Sequence, residues 1–387
     1  MMKTHYDFDT IVNRRGTMSY KWDSVADGVL PMWVADMDFQ TAPCIIEALH
    51  KRIDNGCFGY TLVPDDYYDA VVGWFANRHG WNIDKEKIIY TSGVVPALSA
   101  IIKALAKEGD KVIIQTPVYN CFFSSIRNNG CEILPNPLIR KGDTYEMDFE
   151  DLEAKAADEK AKLLILCNPH NPAGRVWTKE ELTRLGEICK RHNITVISDE
   201  IHCEFVFEGY EYVPYANVSK ELGADCVVCI SPSKAFNIAG LQIANIVASC
   251  DESRAKIDKA INVNEVCDVN PFGVIATIEA YTHGAEWLDQ LVAYIQGNYE
   301  YMKDFCAKNL PDFPIARLEG TYLVWMDCRK LGLTSELMEQ EIEDEVQLRL
   351  NAGSMYGADG EGYLRWNLAC PRALLEDGLE RFLSYAK

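Results

Sequence analysis

The chain has 387 residues, of which 48% are hydrophobic and 25% are charged, the composition of an ordinary globular protein with a large core. Its formal net charge of −20 argues against nucleic acid or an anionic membrane surface as a partner. Its 14 cysteines, the lack of an apolar leader at the start and the lack of a long uncharged apolar stretch predict free thiols in a cytoplasmic protein without a membrane span.

The first part of the chain is rich in aromatic residues and is interrupted by Pro31 and Pro43, which predicts an irregular segment over residues 1–47. Within it, residues 33–39 mix large apolar side chains with two aspartates. From the residues alone, this stretch is interpreted as a packing strap with two solvated acids. Helical spacing of apolar residues begins at Ala42 and is interrupted by a Gly-rich, aromatic stretch at residues 56–61.

Short apolar runs in the middle of the chain alternate with helical patterns. They predict a strand and turn over residues 88–93 and strands over residues 111–115, 133–140, 163–167, 194–197, 226–230 and 244–248. Helices are predicted over residues 94–107 and 178–192. This alternation is typical of an α/β fold with a mostly parallel, doubly wound sheet.

The last hundred residues begin with a predicted long helix over residues 285–309. Strand-like runs follow at residues 322–326, 346–350 and 363–368, and a closing helix begins near Arg372. Since these elements lie apart from the main alternation, they indicate a smaller α+β domain.

Polar clusters follow three of the predicted strands, at residues 168–175, 198–202 and 231–234. Parallel strands end at one edge of a sheet, so the clusters are expected to converge on one pocket. Lys234 lies between Ser231 and Ser233; its amine could condense with an aldehyde, and the hydroxyls could hold an anion. Alone, this motif is far more typical of a solvated loop lysine than of a cofactor site.

A second candidate anion site lies at Ser92, Gly93 and Val94, where a predicted strand turns into a helix. The free N–H groups and the positive end of the helix dipole favour a phosphate there. Without the lysine motif, an ordinary strand-turn-helix connection with nothing bound would explain the same residues.

Taken together, the motifs Asn-Pro-x-Asn-Pro-x-Gly at residues 168–174, Asp-Glu at residues 199–200 and Ser-x-Ser-Lys at residues 231–234 resemble the pyridoxal-phosphate enzymes of the aspartate aminotransferase fold. Residues 33–39, 58–61, 233–242 and 364–372 are similar to the MalY/PatB branch of cystathionine β-lyases, also called C–S lyases. The resemblance implies a large cofactor-binding domain of residues 48–284. A small domain formed from residues 1–47 and 285–387 is implied beside it.

The resemblance also implies pyridoxal 5'-phosphate as the cofactor, no metal, and a role for each matching residue. Lys234 would carry the cofactor, Asp199 would pair with its pyridine nitrogen, Asn171 would donate to its phenolic oxygen and Tyr119 would stack on its ring. His202 belongs to the same cofactor-binding set. The phosphate would be held by Ser92, the backbone of Gly93 and Val94, Ser231, Ser233 and Tyr60, because Gln242 stands where aminotransferases commonly carry an arginine.

On the substrate side, Arg365 is expected to grip the α-carboxylate of an amino acid, and Trp33 and Ala35 are expected to line the pocket. The implied reaction is α,β-elimination of L-cystathionine or another cysteine S-conjugate to a thiol, pyruvate and ammonia. Lys234 would act as the base, and either Tyr119 or Tyr60 as the acid near the leaving sulfur. In the family, a tyrosine at the position of Tyr60 reaches the cofactor phosphate of the other subunit. A homodimer is therefore expected, with Tyr60 contributed across its interface.

Two alternatives stay open from the sequence. An aminotransferase would share the fold, the cofactor and Lys234, but would need a keto-acid acceptor. A regulatory protein would keep the cofactor and act by contacting a partner.

Overall fold

The computed structural model describes residues 4–265 and 268–387 of the chain. The helices are α1 (Tyr20–Asp23), α2 (Pro43–Asp54), α3 (Asp65–His79), α4 (Val94–Leu105), α5 (Asn120–Asn128), α6 (Phe149–Ala156), α7 (Lys179–Arg191), α8 (Tyr215–Leu222), α9 (Pro232–Ala235), α10 (Asp251–Asn262), α11 (Pro271–His283), α12 (Ala285–Asn309), α13 (Ser335–Val346) and α14 (Arg372–Ala386). The strands are β1 (Leu30–Pro31), β2 (Ile88–Thr91), β3 (Lys111–Ile114), β4 (Glu132–Pro135), β5 (Ile139–Lys141), β6 (Thr144–Glu146), β7 (Ala161–Cys167), β8 (Thr195–Asp199), β9 (Cys226–Ile230), β10 (Ala244–Ala248), β11 (Leu323–Asp327), β12 (Leu348–Arg349), β13 (Asn351–Ala352) and β14 (Tyr363–Asn367).

A seven-stranded sheet forms the centre of the fold, in the order β2-β10-β9-β8-β7-β3-β4. Strand β10 runs antiparallel to both of its neighbours, and the other neighbouring strands pair in parallel. Every residue of β9 and β10 is buried, as expected for strands covered by helices on both faces. The predicted α/β class with a mostly parallel sheet is therefore confirmed.

Two predicted strands differ in the structure. The run over residues 133–140 contains Pro135 and Pro137, which cannot donate to a ladder. It forms β4 at the edge of the central sheet and then β5, which pairs with β6 as a hairpin. The run over residues 346–350 begins in α13, and Gln347, with a φ of 56°, ends that helix before the two-residue strand β12.

Both ends of the chain contribute to smaller sheets beside the central one. Strand β1 pairs in parallel with β12, and β14 lies between β11 and β13 in an antiparallel sheet. This pairing favours a small domain made from both chain ends. The predicted boundaries of residues 48–284 stay a prediction: α2 runs through residues 47 and 48, whereas Gly284 lies directly before α12.

Residues 33–39, which we call the strap, cross from the small sheets to the end of the central sheet. The side-chain amide of Asn367 donates through Nδ2 to the backbone carbonyls of Val34 and Asp36, at 2.5 and 2.6 Å. Asp38 is 2% exposed and accepts from Lys21 at 2.7 Å and from Arg14 at 2.8 Å. The interpretation of both strap acids as solvated was therefore wrong for Asp38, because two cations from outside the strap neutralise it.

None of the helices in residues 4–265 and 268–387 has the length and apolar character needed to cross a membrane. The thirteen cysteines within these residues are free thiols, and the fourteenth, Cys267, lies outside the described residues.

Candidate active site

A cavity of about 490 Å³ lies where the strap faces the carboxyl ends of the central strands. Besides Gln242, the residues singled out in the sequence that line it are Trp33, Ala35, Ser92, Gly93, Val94, Tyr119, Asn171, Asp199, His202, Ser233, Lys234 and Arg365. They follow β2, β3, β7, β8 and β9, with the strap and β14 closing the other side. The expected convergence of strand ends thus forms one pocket.

Lys234 lies on the short helix α9, directly after the buried strand β9. Its ammonium donates to the carbonyl of Ala35 in the strap at 2.6 Å. Burial lowers the pKa of Lys234 to about 8, against the opposing effect of Asp36. On the order of a tenth of this amine is therefore unprotonated at pH 7, the form that a nucleophile or a base needs.

Asp199 ends strand β8 at the floor of the cavity and is 3% exposed. One of its oxygens accepts from the backbone N–H of Ile201 at 3.2 Å. Burial, together with the neighbouring Glu200 carboxyl, raises the pKa of Asp199 to about 7. A buried carboxylate of this kind is stabilised by a ligand that brings a positively charged N–H.

The N-terminus of helix α4 also borders the cavity. The helix begins at Val94, and Gly93 precedes it in an extended conformation. The first N–H groups of a 12-residue helix have no partner within the helix, so this end favours an anion. Ser92 and Ser233 also line the cavity and add hydroxyl donors.

Arg365 is 3% exposed and reaches the cavity from strand β14. Its guanidinium donates to the carbonyl of Trp33 at 2.7 Å and to the side-chain oxygen of Asn171 at 3.2 Å. It also lies over the ring of Tyr356, 5.1 Å from the centroid. Its Nε has no hydrogen-bond partner in the structure, which leaves capacity for a carboxylate.

His202 and Tyr119 line the cavity as uncharged rings, which suits contact with a bound aromatic ring. His202 is 4% exposed, its Nδ1 has no partner, and burial keeps its pKa well below the usual range, so the imidazole is neutral. Burial raises the pKa of Tyr119 well above its usual value, with Cys121 adding to the effect, so this phenol keeps its proton.

Two predicted residues do not line the cavity. The hydroxyl of Ser231 donates to the carbonyl of Ile243 at 2.7 Å and accepts from the N–H of Ser233 at 3.1 Å, which caps α9. Tyr60 is 96% exposed. A role in binding for either residue stays a prediction.

Sequence reasoning missed several lining residues, namely Tyr20, Asn120, Cys121, Asn351, Met355 and Tyr356. Asn120 and Cys121 directly follow Tyr119, so their position next to a predicted site residue was a usable signal. The others come from distant parts of the chain and carry no local pattern.

The cavity combines an amine of lowered pKa, a buried carboxylate of raised pKa, a helix N-terminus and a phenol that lines the same space. A planar heteroaromatic aldehyde with a ring nitrogen and a phosphate fits this set. The ring nitrogen would pair with Asp199, the aldehyde would react with Lys234, and the phosphate would lie at the start of α4. Arg365 is not needed to hold this aldehyde, so it is free to bind the carboxylate of a second molecule in the same cavity.

Comparison with known proteins agrees with this geometry. The sequence profile of the family described as aminotransferase class I and II matches residues 28–382. Cystathionine beta-lyase PatB of Bacillus subtilis (strain 168) is 43% identical over 380 residues, which are 97% of this chain and 98% of the relative. Protein MalY of Escherichia coli (strain K12) is 35% identical over 97% of each chain. The crystal structure of cystalysin from Treponema denticola, which contains a pyridoxal 5'-phosphate cofactor, superposes with a TM-score of 0.96 at 35% identity and covers 99% of both chains.

The raised pKa of Asp199 predicts a specific pH dependence of stability for the ligand-free protein. Below about pH 3 the carboxyl is protonated in both the folded and the unfolded state, so its burial costs no charge. As pH rises toward 7 the unfolded chain releases the proton first, and the free energy of unfolding falls by on the order of a few kcal/mol.

Urea unfolding of the native protein and of Asp199→Asn between pH 4 and pH 8 measures this effect. The stability of the native protein relative to the variant should decline up to about pH 7 and then level off. Taking this difference removes the contributions of His170 and His202, whose pKa values are lowered by burial. Parallel pH profiles for the two proteins would contradict the raised pKa.

Proposed function

The chain belongs to the aminotransferase class I and II family, and from this premise we propose that it is a pyridoxal 5'-phosphate-dependent C–S lyase. It catalyses α,β-elimination of L-cystathionine or related cysteine S-conjugates to a thiol, pyruvate and ammonia, the thiol from cystathionine being homocysteine. The observation that carries the proposal is the meeting of Lys234, Asp199 and Arg365 in one cavity of a chain that matches a cystathionine β-lyase at 43% identity.

The residues of the cavity divide into those that hold the cofactor and those that act on the substrate. Asp199 pairs with the pyridine nitrogen, Asn171 with the phenolic oxygen, and the start of α4 with the phosphate. When bound, the cofactor supplies an electron sink for the electron pair left at the substrate Cα. Asp199 strengthens this effect, because a carboxylate beside the ring nitrogen keeps that nitrogen protonated.

Arg365 orients the substrate through two parallel hydrogen bonds to its α-carboxylate. Its guanidinium is already fixed by the Trp33 carbonyl, the Asn171 amide and the Tyr356 ring, so little freedom is lost on binding. Lys234 then accepts the proton from Cα. Its pKa of about 8 allows it to accept that proton and to return to the unprotonated form near neutral pH.

The sulfur leaves as a thiolate unless an acid protonates it. Tyr119 is our candidate, since it lines the cavity and its raised pKa keeps the phenol protonated. Tyr60 of the same chain lies outside the cavity lining.

We propose that the active unit is a homodimer and that Tyr60 reaches the phosphate end of the partner's cavity. The segment around Tyr60 exposes an unusual run of large apolar side chains: Ile53 is 51% exposed, Phe58 56%, Tyr60 96% and Leu62 84%. Several large apolar side chains exposed within one short segment are typical of a surface that is covered by another chain. The free cysteines support a reducing compartment, and we propose the cytoplasm.

An aminotransferase would use the same cofactor and the same lysine, so the product distribution decides between the two reactions. The cofactor-loaded protein is incubated with L-cystathionine without a keto acid, and pyruvate and free thiol are quantified together. We expect equimolar release of both over many turnovers, and a loss of at least about 10²-fold in the Lys234→Ala variant, which lacks the base. Conversion of the bound cofactor to its amine form in a single turnover, without thiol, would establish transamination instead.

A mixed dimer tests the role of Tyr60. Tyr60→Ala and Lys234→Ala chains carrying different tags are co-expressed, and the heterodimer is purified on both tags. If Tyr60 acts across the interface, one of the two sites in the heterodimer is native, and about half the activity of the native dimer should return. Each mutant homodimer serves as a control and should be strongly impaired. A heterodimer as inactive as both mutant homodimers would place Tyr60 within its own subunit's site, and a fully active Tyr60→Ala homodimer would place it outside both sites.

A further inference from the structure

The charges that line the cavity limit what the substrate can carry beyond its α-carbon. Lys234 and Arg365 are the lysine and arginine among the lining residues in the described part of the chain. The proposed function uses both, Lys234 at Cα and Arg365 at the α-carboxylate. The S-substituent of a cysteine conjugate therefore meets no further cation from this chain.

The cavity wall next to Arg365 is formed by aromatic side chains and a methionine thioether rather than by cations. The Tyr356 ring lies under the guanidinium, and Trp33 holds that guanidinium through its carbonyl. The Tyr20 ring packs against the Trp33 ring with 5.3 Å between the centroids. At the cavity mouth Tyr20 is 71% exposed and Met355 40% exposed, so apolar surface stays open to a ligand there. Aromatic rings and a thioether favour alkyl and aryl groups.

The nearest cations behind this wall are already neutralised. Arg349 lies over the Trp33 ring, 5.6 Å from the centroid, but it pairs with Glu339 at 2.8 Å and also with Glu343. Lys21 is 1% exposed and is paired with Asp38 at 2.7 Å. A substrate carboxylate at the mouth would lose water without gaining an ionic partner from either residue.

We propose that the preferred substrates are cysteine S-conjugates whose S-substituent is uncharged and apolar, and that cystathionine is a slower substrate of the same site. This inference rests on the proposed C–S lyase function and specifies its substrate class. The homocysteine half of cystathionine brings a carboxylate to a wall that offers it no cationic partner, and an ammonium that this wall can receive only on aromatic faces and not through a carboxylate. An alkyl or aryl thioether brings only surface that packs on Tyr20, Trp33 and Met355.

Three conjugates with four-carbon S-substituents separate charge from size. They are S-butyl-L-cysteine, S-(3-carboxypropyl)-L-cysteine and L-cystathionine. We expect kcat/KM for the release of pyruvate to be at least about tenfold higher for the S-butyl compound than for either charged compound, in line with the discrimination that a hydrophobic pocket achieves. All three leave as alkyl thiolates, so the chemistry of the leaving group is similar.

A positive charge introduced at the cavity mouth should change the order of kcat/KM among the three conjugates. Met355→Arg is expected to raise the relative kcat/KM of the carboxypropyl conjugate several-fold, because it supplies the missing cation. Ile139→Arg is the matched control: Ile139 is also 40% exposed but lies on strand β5, outside the cavity lining. It should leave the order of the three substrates as in the native protein.

Binding measured by calorimetry gives a readout that does not depend on turnover. In S-butyl-L-homocysteine and L-homolanthionine the sulfur is one carbon too far from Cα for β-elimination. Their S-substituents differ as those of S-butyl-L-cysteine and L-cystathionine do, one being apolar and the other carrying an ammonium and a carboxylate. The butyl compound should bind at least about tenfold more tightly.

The outcomes distinguish the two proposals. Equal kcat/KM for all three conjugates, or faster release from cystathionine, overturns the substrate class and leaves the lyase function standing. Release from none of them contradicts the lyase function. Selectivity is then decided by calorimetry alone, where tighter binding of the butyl compound supports the substrate class and equal binding overturns it.

Discussion

The site depends on two hydrogen bonds from cations that line the cavity to the backbone of the strap. Lys234 donates to the carbonyl of Ala35, and Arg365 donates to the carbonyl of Trp33. Lys234 follows a strand of the central sheet, whereas Arg365 belongs to a small antiparallel sheet near the C-terminus. Three distant parts of the chain must therefore be in place before Lys234 and Arg365, the proposed base and the proposed carboxylate-binding group, face the same cavity.

The strap can serve as this common support because its own polar groups are anchored away from the cavity. Asp38 is buried against Lys21 and Arg14, and Asn367 donates to two strap carbonyls. Paired buried charges restrict geometry even where they add little stability, because breaking one pair leaves an uncompensated charge. The same pairing removes these cations from the cavity, so the charge near the site is confined to Lys234 and Arg365 among the described lining residues.

Sequence patterns predicted the central sheet well, because its strands are short apolar runs that differ clearly from the helices between them. Asp199 and Lys234 were found because polar residues directly follow such runs. Tyr20 and Tyr356 were missed, since only the folded chain brings residues 20 and 356 together at one cavity. The burial of Asp38 was also missed, because its partners lie 17 and 24 residues away without any shared pattern.

The most direct test of the account is to locate the cofactor chemically. The protein is loaded with pyridoxal 5'-phosphate, reduced with sodium borohydride, digested and mapped by mass spectrometry, with Lys234→Ala as the control. The account predicts a phosphopyridoxyl group on the peptide that contains Lys234 in stoichiometric amount, and none above background in the variant. A label on another lysine, or one spread over surface lysines in both proteins, would contradict the assignment of this cavity as the cofactor site.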